Sequence, residues 1–204
     1  VPHTPGKKES FRKSLELFVK AGRHFNPPLE ELRIPYGEKV IPAYLRIPRS
    51  NEKQPVVINF GGIDSYKAES HDLDEVLLQA GLGACAIDMP GVGESPIKGS
   101  TTAETLFTDH LEKRSDIDPR RIGVLGRSFG GYWAAKTAFA EASRLRAAVV
   151  WGGGVHYFFQ EEWQLKSTNA DSYLMDHEIA RAMAFGVNNL EETVKLFPAL
   201  SLKT

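Results

Sequence analysis

The chain has 204 residues and a net charge of −1, with 42% hydrophobic and 25% charged residues. This is the composition of a globular domain with one sizeable core, without the concentrated basic surface that a nucleic-acid partner requires. No apolar run approaches the roughly 18 residues of a membrane helix, so no membrane partner is expected. The single cysteine, Cys85, excludes an internal disulfide and fits a reducing, cytoplasmic setting.

The opening stretch, Val1-Pro2-His3-Thr4-Pro5-Gly6-Lys7-Lys8, has no signal-peptide core and no starting methionine. A fragment or a processed form is therefore expected. Helical spacing of Phe11, Leu15, Leu17, Phe18 and Ala21 predicts a helix from Ser10 to His24, stopped by Asn26-Pro27-Pro28. Residues 1–26 are read as the end of an N-terminal helical region. Glu31–Tyr36 and Val40–Ile47 predict two antiparallel strands around Gly37-Glu38-Lys39, their prolines suiting edge positions.

From residue 55 the pattern changes. Pro55–Phe60, Ala84–Asp88, Arg121–Leu125 and Ala147–Trp151 are short runs apolar on both faces. Helical segments separate them: Asp72–Ala80, Thr102–Arg114 and Tyr132–Ala142. Such an alternation predicts an α/β fold, a mostly parallel sheet covered by helices on both faces. Residues 27–154 are assigned to this core. After Gly152-Gly153-Gly154 no apolar strand recurs. Helical patches at Ser172–Phe185 and Asn189–Phe197 make residues 155–204 the start of a cap-like helical insertion.

Gly126-Arg127-Ser128-Phe129-Gly130 reads G-x-S-x-G between a predicted strand and a predicted helix. That context defines a nucleophile elbow: a sharp turn presents the serine Oγ at a strand end, and the amides of the following helix face any oxyanion formed there. The Gly61-Gly62 turn after Phe60 commonly supplies the second oxyanion amide. The donors are assigned to Phe129 and Ile63, or failing Ile63 to Gly62. No cysteine or histidine spacing suggests zinc. Gly91-Val92-Gly93-Glu94-Ser95 lacks the lysine of a phosphate loop. Neither a metal nor a cofactor is expected.

Three segments, Gly61–Ser70, Asp88–Ser95 and Gly126–Gly131, resemble the α/β-hydrolase superfamily, in particular its branch of 2,6-dihydroxypseudooxynicotine hydrolase and esterase-like proteins. The resemblance implies a Ser–His–Asp hydrolase with a helical cap, acting on a small-molecule carbonyl substrate, either a diketone-like C–C bond or a carboxylic ester. It maps the nucleophile onto Ser128 and suggests an acidic residue from the cap side, for which Glu161 and Glu162 lie in the right region. Arg127, Trp151, His156 and Tyr157 complete the substrate-pocket candidates, with Phe158, Phe159 and Trp163 in the same aromatic cluster, for which core packing is the competing reading. His156 also fits a polar residue at a strand end. A homodimer is left open.

The superfamily places the acid and then the histidine after the serine, each following a further strand. Here Asp171, Asp176, His156 and His177 follow no apolar strand, and the adjacent Asp176 and His177 cannot face each other on a helix. Acid and base are expected beyond Thr204, and the 204-residue piece alone is expected to be inactive. The competing class is a non-catalytic binding or regulatory protein on the same fold.

Overall fold

The computed structural model describes residues 4–99, 106–168 and 177–203. Helix α1 (Pro5–Gly22) begins five residues before the predicted start, because Thr4 caps it: its Oγ1 accepts from Lys7 N–H at 3.3 Å, and Pro5 occupies the first turn. Strands β1 (Glu30–Tyr36) and β2 (Lys39–Arg46) form an antiparallel hairpin pairing Tyr36 with Lys39, and Gly37 takes φ 56° in the connection.

The core follows in the predicted alternation: β3 (Gln54–Phe60), α2 (His71–Gln79), β4 (Gly83–Ile87), α3 (Leu106–Glu112), β5 (Ile117–Arg127), α4 (Phe129–Ala140) and β6 (Ala147–Trp151). The predicted residues 102–105 and 172–176 lie outside the described residues. The six strands lie in the order β1-β2-β4-β3-β5-β6. β4, β3, β5 and β6 are mutually parallel, and β2 joins β4 antiparallel. From β3 the chain goes to β4 on one side and returns to β5 on the other. The crevice at the carboxyl ends of β3 and β5 is therefore the switch point at which open α/β sheets bind ligands.

Alternate residues of the central strands, Val56, Ile58 and Phe60 with Ile122 and Val124, are buried against a core that includes Tyr132 and Trp133. On the opposite face, Asn59 Nδ2 donates to Asp74 Oδ1 (2.9 Å), tying α2 to β3. After β6 come a 3-10 turn (Tyr157–Phe159), α5 (Glu161–Thr168), α6 (His177–Phe185), α7 (Leu190–Leu196) and a second 3-10 turn (Phe197–Leu200). Phe129, Tyr132, Phe158, Phe159, Phe185 and Phe197 form one continuous ring cluster joining the two 3-10 turns and α6 to α4. Among the described residues, no helix is long and apolar enough to cross a membrane.

Two expectations are corrected. Pro42 lies on β2, an interior strand. It is tolerated because pairing with β4 begins one residue later, at Ala43. β6 is not covered on both faces: all five residues are exposed, Val149 by 48% and Trp151 by 59%. Among the described residues it is the last strand in the sheet order, so an apolar run that reads as a central strand stands at an edge there.

Candidate active site

Ser128 lies between the end of β5 and the start of α4 with φ 56° and ψ −128°, the one non-glycine positive φ among the described residues. L-residues rarely adopt this conformation, and each such residue costs on the order of 1–3 kcal/mol. The glycines around it make the turn sterically feasible. A Cβ on Gly126 would stand 1.9 Å from Gly130 O, and one on Gly131 would stand 2.7 Å from Gly153 N. Ser128 N–H donates to Trp151 O (2.8 Å), fastening the turn to the neighbouring strand end. The serine is exposed, whereas Phe129 beside it is buried in the ring cluster.

The turn after β3 packs directly against this serine. A Cβ on Gly62 would lie 3.2 Å from Ser128 Cβ and 3.4 Å from its Oγ. Ser65 N–H closes the turn onto Gly62 O (3.2 Å). Neither the Phe129 nor the Ile63 amide has a backbone acceptor among the described residues. Two amide-bearing segments thus meet at one exposed hydroxyl, and the Phe129 amide lies at the positive end of the α4 dipole.

The other candidates separate. Arg127 is exposed, and its Nη2 donates to Ser65 Oγ at 3.2 Å. Trp151 lies beside it in register on β6. The aromatic cluster divides in two: Trp151, Tyr157 and Trp163 are exposed, while Phe158 and Phe159 belong to the core packing. Glu161 and Glu162 are exposed on the first turn of α5, and Glu162 pairs with Lys166 of the same helix (2.6 Å). His156 Nδ1 lies 2.6 Å from Ser201 Oγ, next to the Leu202 N–H bond to Val155 O (2.9 Å). It is held by the last residues of the chain and not by the nucleophile. His71 opens α2 and stacks on Phe25 (centroids 4.5 Å apart). Asp171 and Asp176 lie outside the described residues. No group of metal-ligating side chains occurs among the described residues.

Sequence reasoning assigned no role to Lys67, Asp88 and Glu94. The structure joins them beneath the turn: Lys67 Nζ donates to Asp88 Oδ2 (2.8 Å) and Glu94 Oε2 (2.5 Å). The available signal was an aspartate closing an otherwise apolar strand and a glycine-rich loop carrying an acid.

A strand, a strained serine turn and a helix, set at the switch point of a sheet of this order and direction, define the class: an α/β-hydrolase fold. The profile of the esterase FrsA-like family matches residues 14–202, and the chain belongs to that family. It is 37% identical over 146 residues to 2,6-dihydropseudooxynicotine hydrolase of Paenarthrobacter nicotinovorans, a match covering 69% of this chain and 40% of the relative. It is 28% identical over 201 residues to esterase FrsA of Photobacterium profundum, covering 96% of this chain and 45% of that one. The crystal structure of 2,6-dihydroxy-pseudo-oxynicotine hydrolase superposes with a TM-score of 0.83 at 29% identity, over 98% of this chain and 56% of that chain. The chain thus spans less than half the length of these two curated relatives.

Proposed function

We propose that this chain carries the nucleophile and oxyanion donors of a serine hydrolase acting on a small-molecule carbonyl compound. The observation that carries this reading is Ser128 itself, an exposed hydroxyl held at φ 56° with the Gly62 backbone against its Oγ. Strain of this kind persists only where surrounding structure enforces it, and it gathers at reactive positions.

In the proposed reaction Ser128 Oγ attacks the carbonyl carbon as a base removes its proton. The carbonyl π pair moves to oxygen, giving a tetrahedral oxyanion opposite the Phe129 and Ile63 amides. The oxyanion pair then re-forms the carbonyl and expels the leaving group. An ester releases an alkoxide, whereas a C–C substrate releases a carbanion that must take a proton. The acyl-enzyme is hydrolysed by water, which restores the serine. Hydrolases and esterases among the relatives support the class. Among the described residues no histidine bonds Ser128, and we assign the base to residues outside them. Accordingly, the 204-residue chain alone is expected to turn over poorly.

The competing reading is a hydrolase-fold binding or regulatory protein. Labelling the full-length protein with a fluorophosphonate probe, followed by peptide mapping, separates the two. Modification at Ser128 that disappears in Ser128→Ala supports the hydrolase, and modification that survives the substitution removes Ser128 from the mechanism. No modification at all favours the binding protein. Comparing p-nitrophenyl esters with β-diketones then distinguishes ester from C–C cleavage.

A further inference from the structure

Residues 61–66 bring backbone to Ser128, yet this turn contains two glycines and one internal backbone bond, Ser65 N–H to Gly62 O (3.2 Å). Its upstream end is fixed because Phe60 closes β3. Its downstream end is fixed by Lys67, whose N–H donates to Asp88 Oδ1 (2.7 Å) while its Nζ reaches Asp88 Oδ2 (2.8 Å) and Glu94 Oε2 (2.5 Å). Glu94 N–H also donates to Asp88 Oδ2 (2.9 Å). The Lys67 and Asp88 side chains are 0% and 1% exposed, and Nζ stands 4.9 Å from the Tyr44 ring centroid. The second loop closes tightly on the carboxylate: a Cβ on Gly93 would lie 2.3 Å from Asp88 Oδ2.

A buried ion pair adds little net stability, because desolvation offsets the attraction. Its contribution here is geometric. One carboxylate takes both the backbone and the side-chain donor of Lys67, together with a backbone donor of the next loop. Charge-assisted bonds of this kind fix direction as well as distance, whereas apolar contacts allow sliding. The turn has other contacts: Gly61 packs against Gly130, Ile63 and Tyr66 against the core, Tyr66 also on the Phe11 ring (4.4 Å), Tyr66 N–H donates to Glu69 Oε2 (3.4 Å), and Ser65 meets the exposed Arg127 (3.2 Å).

We propose that Lys67 is a positioning residue: clamped by Asp88 and Glu94, it holds the 61–66 turn so that the Ile63 amide faces the oxygen of the carbonyl attacked by Ser128. This rests on the serine-hydrolase reading above. Lys67 touches no reacting atom. It acts through the turn, where a misplacement of about 1 Å can cost on the order of 100-fold in rate.

The test uses the full-length protein and its Lys67→Met variant, with two readouts. Amide hydrogen exchange of the 61–66 peptide needs no turnover. Fluorophosphonate labelling is resolved into a limiting rate and a probe affinity. The expected result is exchange faster by about tenfold or more, confined to this peptide while β3 and β5 keep their protection, and a limiting rate lower by about tenfold or more at unchanged affinity. A mere loss of folded molecules would lower the labelled amplitude and raise exchange throughout the sheet. That pattern overturns the proposal, as do unchanged exchange and labelling. Should Lys67→Met not fold, Glu94→Gln removes one arm of the clamp and is read the same way. If the full-length parent protein is not labelled at Ser128, the hydrolase reading fails instead, and exchange alone still decides whether Lys67 holds the turn.

Discussion

Gly130 packs against Gly61 so closely that a Cβ on Gly130 would stand 2.2 Å from Gly61 O and 2.4 Å from Phe60 O. The first turn of α4 therefore rests on the backbone that leads into the Gly62 turn, and the two amide-bearing segments are registered by direct contact. Backbone cannot move aside as a flexible side chain can. Gly130→Ala is expected to destabilise the chain by about 3 kcal/mol, the upper end of ordinary overpacking, as measured by urea unfolding. Gly152→Ala serves as the comparison, because its Cβ meets nothing within 4 Å at φ 81°, and it should cost only about 1 kcal/mol. Equal losses at the two positions would contradict the contact argument.

The strain at Ser128 makes a prediction of opposite sign. Glycine accepts φ 56° without a Cβ penalty. Ser128→Gly should therefore raise stability by about 1 kcal/mol, after the added entropy of the unfolded chain is set against the relief. Covalent labelling at this position should vanish at the same time. Thermal unfolding of the two proteins checks this, and a variant less stable than the parent would show that the serine is not strained.

Asp74 supplies a pH dependence. Burial, the dominant cause, raises its carboxyl to about 7, against the lowering effect of the Asn59 hydrogen bond. An unfolded chain releases the same proton near pH 4. Between these values the folded state holds a proton that the unfolded state has lost, so this contribution is complete below about pH 4 and disappears as pH rises through about 7. Asp74→Asn cannot titrate. The stability of the variant relative to the parent should therefore grow with pH, by on the order of 4 kcal/mol from pH 4 to 8. Urea midpoints across that interval test it, and a difference that stays flat would place the titration elsewhere.

Among the described residues β6 has no strand on its outer side, and Val149, Val150 and Trp151 are exposed. Apolar edge strands are templates for pairing with another chain. Self-association is expected at micromolar concentration, and Val149→Lys should weaken it by about tenfold or more. Sedimentation velocity of the two proteins reads this directly. A parent chain that stays monomeric at the highest soluble concentration would rule out β6 as an association surface.

Local chemistry made much of this legible. The alternation of doubly apolar runs with helical segments reports a parallel sheet, and the G-x-S-x-G spacing after a strand reports the elbow, because both depend on residues within a few positions of one another. Covering is different. Ala147–Trp151 has the composition of a buried strand, but exposure depends on what packs beside it, and the described residues place nothing on its outer edge. Lys67 was illegible for a related reason: a lysine in a polar turn reads as solvated surface until the strand order brings an aspartate 21 residues away beneath it.

By itself the sequence determined the kind and order of the elements and the identity of the serine at the sharp turn, since dihedral preference and apolar periodicity are written in neighbouring residues. Tertiary structure alone decided which strand ends became neighbours, so that the turn after β3 lies against Ser128, His156 meets Ser201, and Arg127 reaches Ser65 across 62 positions. The first and last of these contacts follow from β5 returning beside β3 on the side away from β4. No local pattern encodes that choice; it is set by the burial of both sheet faces together.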